Sequence, residues 1–150
     1  QHIKATANAT LAPLVVEQLR RRGIEAEAKA HLEEVIELFK DRCSTTVEIA
    51  DWAAMYFAPV APSSADLDAH LTPLVRPAVE TLRDALVNAD WSRASIQQCV
   101  KDTLAAHKLK MPQLAMAVRV LVCGRSQTPS LDAVLALFAK DVVLARLRVV

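Results

Sequence analysis

"VLVCGRSQTPSLDAVL", residues 120–135, sets a polar break between two apolar runs. The chain of 150 residues has only two glycines, and one of them, Gly124, opens this break. Glycine just past an apolar run is a helix stop, because it enters the left-handed region without a Cβ penalty. Thr128 is then expected to cap a second helix. Pro129 would take that helix's first position, where a missing N–H costs nothing. Leu131, Val134, Leu135 and Phe138 follow at the spacing of an inward helical face. Residues 124–128 therefore read as a helix–helix turn flanked by Arg119 and Arg125. The unsatisfied N–H groups that open the second helix suit phosphate or base acceptors.

The rest of the chain has the same grammar. Hydrophobic residues make up 53% and aromatic residues 4%, so Ala, Leu and Val carry the core. Ala and Leu lose little side-chain entropy in a helix, and no β-branched run alternates long enough to suggest a strand. The expected fold class is all-α. Leu11, Leu14, Val15 and Leu19 form one expected helical face that ends at Gly23. Leu32, Val35, Ile36 and Phe39 form the next, and Val47, Ile49, Ala53 and Phe57 a third. Ser44, Thr45 and Thr46 interrupt or start a helix, and "APVAPSS" (58–64) is the clearest loop of the first half. Two helices follow, the second opening near Pro77. Ser92 is then an expected N-cap for a helix carrying Ile96, Val100 and Leu104. Composition shifts near residue 90, which suggests two helical-bundle subdomains over 1–89 and 90–150.

Charge is distributed unevenly. Residues 101–150 carry 8 basic and 3 acidic side chains, net +5, against 10 and 14 in residues 1–100, net −4. A basic C-terminal third points to a polyanionic partner. Cys43, Cys99 and Cys123 are scattered and unpaired in sequence, as reduced core thiols of a cytoplasmic protein would be. No apolar run is long enough to span a membrane. The opening "QHIKATANAT" lacks Met and any signal-like pattern, and reads as the interior of a longer protein.

Catalytic patterns are missing. His2, His31, His70 and His107 are far apart, so no metal site is expected, and no phosphate-cradling or nucleophile motif occurs. Asp66 with Asp68, and Glu33 with Glu34, read as exposed helix charges. Trp52 and Trp91 read as core anchors, Trp91 packing where the next helix begins.

Seven stretches along the chain carry a resemblance. "AMAVRVLVCG" (115–124), "TPSL" (128–131), "LFAK" (137–140) and "LARL" (144–147) resemble the C-terminal signature of bacterial-type glutamyl-tRNA synthetases, class I enzymes. "LFKDRCSTTVEIADWAAMYF" (38–57) is similar to the family's Lys-Glu-Arg-x-x-Thr-Leu-x-Glu helix and its aromatic pair. "DWSRASIQQCVKDTLAAHKLKM" (90–111) is similar to the helix before the signature, and "QHIK" (1–4) to the run that follows the catalytic half. Ala117 departs from the usual Pro, Cys123 from Thr, Ser130 from Gly or Ala, Ala139 from Gly, and "MPQLA" from a Gly-Lys approach.

The resemblance implies an all-α anticodon-binding region and glutamate tRNA as partner. It implies that Arg119, Thr128, Pro129 and Leu131 contact the anticodon, that Arg42 contacts its first base, and that Lys110 and Arg125 reach the backbone. Arginine suits this work, since its planar donors both stack on and hydrogen-bond to splayed bases. It further implies a parent glutamate–tRNA ligase that is cytoplasmic and monomeric. The family's His-Ile-Gly-His and Lys-Met-Ser-Lys-Ser ATP motifs are missing here, so ATP would bind in the other half and this chain alone would not aminoacylate. The competing reading is a stand-alone helical protein-interaction module that binds no nucleic acid. In that reading Arg119 pairs with a core carboxylate and Thr128–Pro129 is only a cap.

Overall fold

A computed structural model of the chain describes residues 6–25 and 29–148. The "QHIK" stretch and His2 lie outside the described residues, and so does the side chain of His31. Every regular element among the described residues is helical, as expected. These are α1 (Asn8–Arg20), α2 (Lys29–Phe39), α3 (Thr46–Phe57), α4 (Ser64–His70), α5 (Arg76–Val87), α6 (Arg93–His107), α7 (Met111–Cys123), α8 (Leu131–Ala136) and α9 (Lys140–Arg146). A 3₁₀ turn, Lys40–Arg42, closes α2. The chain divides by packing into two compact units, residues 1–59 and 60–150.

In the first unit α1, α2 and α3 pack on one another. Leu11, Val15, Leu19, Leu32, Val35, Ile36, Phe39, Ile49 and Ala53 are buried there as the spacing predicts. Leu14 is not, being 51% exposed, and Ala12 takes the inward place instead. At 100° per residue, Leu14 sits roughly 115° from the middle of the stripe formed by residues 11, 12, 15 and 19. Val47, in the first turn of α3, is also exposed. Gly23 does stop α1: at φ 78° it lets the Ile24 N–H reach back to the Leu19 carbonyl at 3.0 Å. The Ser-Thr-Thr run starts a helix. Thr45 Oγ1 accepts from the Glu48 N–H at 3.1 Å, while Glu48 Oε1 accepts from the N–H groups of Ser44 (2.7 Å) and Thr45 (3.1 Å). Phe39 and Trp52 stack with centroids 4.8 Å apart, so Trp52 does anchor this core.

In the second unit α5 packs on α6, α7 and α9, α6 on α8, and α4 on α7. Ser92 caps α6 through Oγ, accepting from the Ser95 N–H at 3.2 Å, and Pro77 stands in the first turn of α5. Residue 90 therefore lies inside a unit, since the helices on either side of it pack together. The packing boundary falls at Pro59/Val60, thirty residues before the composition shift. That shift records surface charge, and burial does not follow surface charge.

Candidate nucleic-acid interface

The break after α7 is a surface loop with basic flanks, Arg119 and Arg125. Gly124 closes α7 in the left-handed region at φ 76°, its N–H donating to the Val120 carbonyl at 3.0 Å. A Cβ at Gly124 would lie 3.3 Å from Val60 Cβ. From there Arg125, Ser126, Gln127 and Thr128 run along the surface, Gln127 exposed and the others half-buried.

The far side of the loop corrects the expected cap. α8 starts at Leu131 with Ser130 as N-cap, and no side chain caps it. Thr128 is not the cap and Pro129 is not the first helical residue. The Thr128 hydroxyl is already committed, donating to the Pro129 carbonyl at 2.8 Å, and Arg119 Nη2 donates to the same oxygen at 3.4 Å. Two side chains thus converge on one backbone oxygen and tie the end of the loop to α7. Pro129 is buried and Leu131 is 2% exposed, so both anchor the loop from beneath.

Arg146 holds the start of the loop. Its Nη1 donates to the Val122 carbonyl at 2.8 Å, one of the acceptors that a helix end leaves without an internal partner. Its guanidinium carbon lies 5.1 Å from the Phe138 ring centroid. Burial lowers the Arg146 pKa from its ordinary value. Burial also pushes the neighbouring Cys123 thiol up to about 12, against the opposing pull of Arg146, Arg125 and Arg119. Phe138 is itself tied, its carbonyl accepting from Trp91 Nε1 at 2.8 Å. Lys140 donates to the Ala89 carbonyl at 2.8 Å. Asp132, in the first turn of α8, pairs with Arg93 at 3.1 Å.

Arg119, Thr128, Pro129 and Leu131 are therefore brought together, with Arg125 in the same loop. Lys110 is exposed at the opposite end of the 13-residue α7, about 20 Å away at the rise of an α-helix. Arg42 is exposed at the end of the 3₁₀ turn and belongs to the first unit. Sequence reasoning missed Arg146 and Val60. "LARL" shows an arginine without showing which carbonyl it reaches, and nothing in "APVAPSS" distinguishes Val60 as a packing residue.

Three cations of the basic third, Arg119, Lys140 and Arg146, thus donate to backbone carbonyls within the fold. Lys101, Lys108, Lys110 and Arg148 are exposed and Arg125 half-buried, so the cationic surface is smaller than the sequence charge suggests. Among the described residues no three His, Cys, Asp or Glu side chains gather as metal ligands. A cleft of 250 Å³ beside α4 and α7 is lined by His70, Thr72, Gln113 and Met116, and one of 420 Å³ on α1 by Pro13, Val16, Arg20 and Glu33. No helix is long and apolar enough among the described residues to cross a membrane. What the second unit offers is a pinned polar loop, a form suited to binding.

Comparison with known proteins gives that loop its setting. Residues 10–150 match the anticodon binding domain family. A glutamate–tRNA ligase of Leptothrix cholodnii is 56% identical over 99% of this chain, which covers 32% of that protein. A glutamate–tRNA ligase of a Polaromonas species is 50% identical over the same shares. The chain thus spans about a third of the length of these relatives. Among solved structures, a glutamate tRNA ligase from Elizabethkingia meningosepticum in complex with its amino acid superposes with a TM-score of 0.86 over 98% of this chain and 29% of that one. Its sequence is 18% identical, so that likeness speaks to the fold. On the match over residues 10–150, the chain belongs to the anticodon-binding-domain family.

Proposed function

We propose that the chain is the tRNA-anticodon-reading part of a glutamate–tRNA ligase, the enzyme that joins glutamate to its tRNA using ATP. The observation that carries this reading is identity of 50% and above, across almost the whole chain, to relatives of that name. We assign the 124–130 loop to the anticodon bases, a reading that its exposed, cation-flanked polar surface supports. Arg125, Ser126, Gln127 and Thr128 are its accessible polar groups, and splayed single-stranded bases are recognised by such donors and acceptors. Arg119 offers a further guanidinium beside them. Pro129 and Leu131 contribute as the buried floor that shapes the loop. Arg42 serves the first anticodon base from the first unit, and Lys110 meets the sugar–phosphate backbone.

ATP and glutamate belong to a part of the ligase that this chain does not include, and no metal or cofactor is assigned to it. The working partner is glutamate tRNA, and the parent enzyme acts as a cytoplasmic monomer. The test is binding of this chain to glutamate tRNA and to the same tRNA with an exchanged anticodon, with Arg119→Ala and Thr128→Ala alongside. Tighter binding of the natural anticodon, narrowed in both variants at unchanged melting temperature, is expected. Equal affinity of the unaltered chain for the two tRNAs would sink the reading.

A further inference from the structure

Val60 opens the second unit, inside the Pro-rich run that otherwise serves only as a connection. It is half-buried, and the three heavy atoms nearest to a Cβ built at Gly124 all belong to it: its Cβ at 3.3 Å and both γ-carbons at 3.9 Å. The isopropyl group therefore occupies the side of Gly124 on which a side chain would project. At φ 76°, Gly124 is also where the backbone changes from right-handed helix to loop. It is the softest joint of the segment, because glycine alone rotates almost freely in φ and ψ.

The rest of the loop frame is held by polar contacts. Arg146 takes the Val122 carbonyl before the joint, and Thr128 and Arg119 take the Pro129 carbonyl after the exposed residues. Val60 adds an apolar restraint at the joint itself, by volume. A valine is apt here because its branched Cβ holds it to very few rotamers.

We propose that Val60 is a positioning residue for anticodon recognition. It wedges against Gly124 and so sets the direction in which Arg125–Thr128 meet the bases, without touching RNA itself. This rests on the assignment of the 124–130 loop to the anticodon. Shortening the wedge leaves the loop's polar groups intact but lets them wander, so discrimination between anticodons suffers more than overall affinity.

The experiment compares the unaltered chain with Val60→Ala and Val60→Ile, measuring Kd for glutamate tRNA and for its anticodon-exchanged form, with melting curves. Val60→Ala should reduce the ratio of the two Kd values about tenfold, the loss of one good base contact, at near-unchanged affinity for the exchanged tRNA. Val60→Ile, which keeps the branched wedge, should retain most of the ratio. A ratio unchanged in Val60→Ala overturns the proposal while leaving the loop assignment standing. Equal weakening for both tRNAs, tracking a lower melting temperature, overturns it as well. If the unaltered chain does not distinguish the two tRNAs, the loop assignment fails first and the proposal with it.

Discussion

Arg146 covers the face of Phe138 at 5.1 Å while its Nη1 donates to the Val122 carbonyl at 2.8 Å, so one side chain joins α9 to the end of α7 and to the segment after α8. The guanidinium is partly desolvated, which strengthens both contacts and makes an orphaned Val122 carbonyl costly. Arg146→Ala should destabilise the chain by about 1.5–3 kcal/mol, the range for losing a hydrogen bond to a charged group. Arg146→Lys should recover only part of this, since an ammonium lacks the planar face that stacks on the ring. Urea unfolding of the three proteins checks the order. A lysine variant as stable as the unaltered chain would remove the stacking from the account.

Thr45 and Glu48 form a reciprocal cap on α3, and both residues are exposed, so the helix-end hydrogen bonds can be removed without opening the core. Thr45→Ala should cost about 1 kcal/mol, and Thr45→Ser far less, because serine supplies the same acceptor. The readout is the urea midpoint at constant m-value. A loss equal in both variants would mean that the methyl group, and not the oxygen, is what matters.

Much of the helical framework is legible in sequence because its signals are local. Gly23 and Gly124 stop helices, Thr45 and Ser92 start them, and Leu131, Val134, Leu135 and Phe138 point inward at the expected spacing. What failed is what depends on partners distant in sequence. Leu14 is as apolar as Leu11, yet which of them is buried depends on where α2 and α3 approach α1. Thr128 looks like a cap until its hydroxyl finds the Pro129 carbonyl. Arg119, Lys140 and Arg146 count as surface cations in a charge tally, and only the fold shows them facing carbonyls. The cluster of Arg119, Thr128, Pro129 and Leu131 was legible through family resemblance. The residues that meet the end of α7, Arg146 at the Val122 carbonyl and Val60 beside Gly124, come from elsewhere in the sequence.

The buried thiols give stability a downward slope at high pH. Burial raises Cys43 from 9.0 to about 11 and Cys123 from 9.0 to about 12, and Cys99 moves in the same direction. Above pH 9 the unfolded chain gives up these protons while the folded chain keeps them, so unfolding releases protons and is favoured as pH rises. The benefit of burying neutral thiols is complete below pH 9 and is lost as pH climbs toward 12. Urea midpoints at pH 8 and pH 10 should show the fall, and Cys123→Ser should change its slope. In alkylation at pH 8 without urea, Cys123 should be slowest, being a buried thiol with almost no thiolate. Rapid labelling of Cys123 would mean that the end of α7 opens readily.

Outside the 124–130 loop and its Arg119 flank, the cations of the basic third should separate into two classes. Lys101, Lys110 and Arg148 are exposed, so each can meet a phosphate and release counterions. Alanine at any one of them should weaken binding to glutamate tRNA and to its anticodon-exchanged form by the same factor. It should also reduce the slope of log K against log salt by up to about one. Lys140 and Arg146 already have carbonyl partners, so alanine there should lower the melting temperature and leave the slope unchanged. Titrations between 50 and 200 mM salt, a range wide enough to resolve a change of about one in slope, together with melting curves, place each variant on both axes. If Lys140→Ala lowered the slope as much as Lys101→Ala while leaving stability intact, its bond to the Ala89 carbonyl would be exchangeable for phosphate. The basic third would then act as one continuous surface.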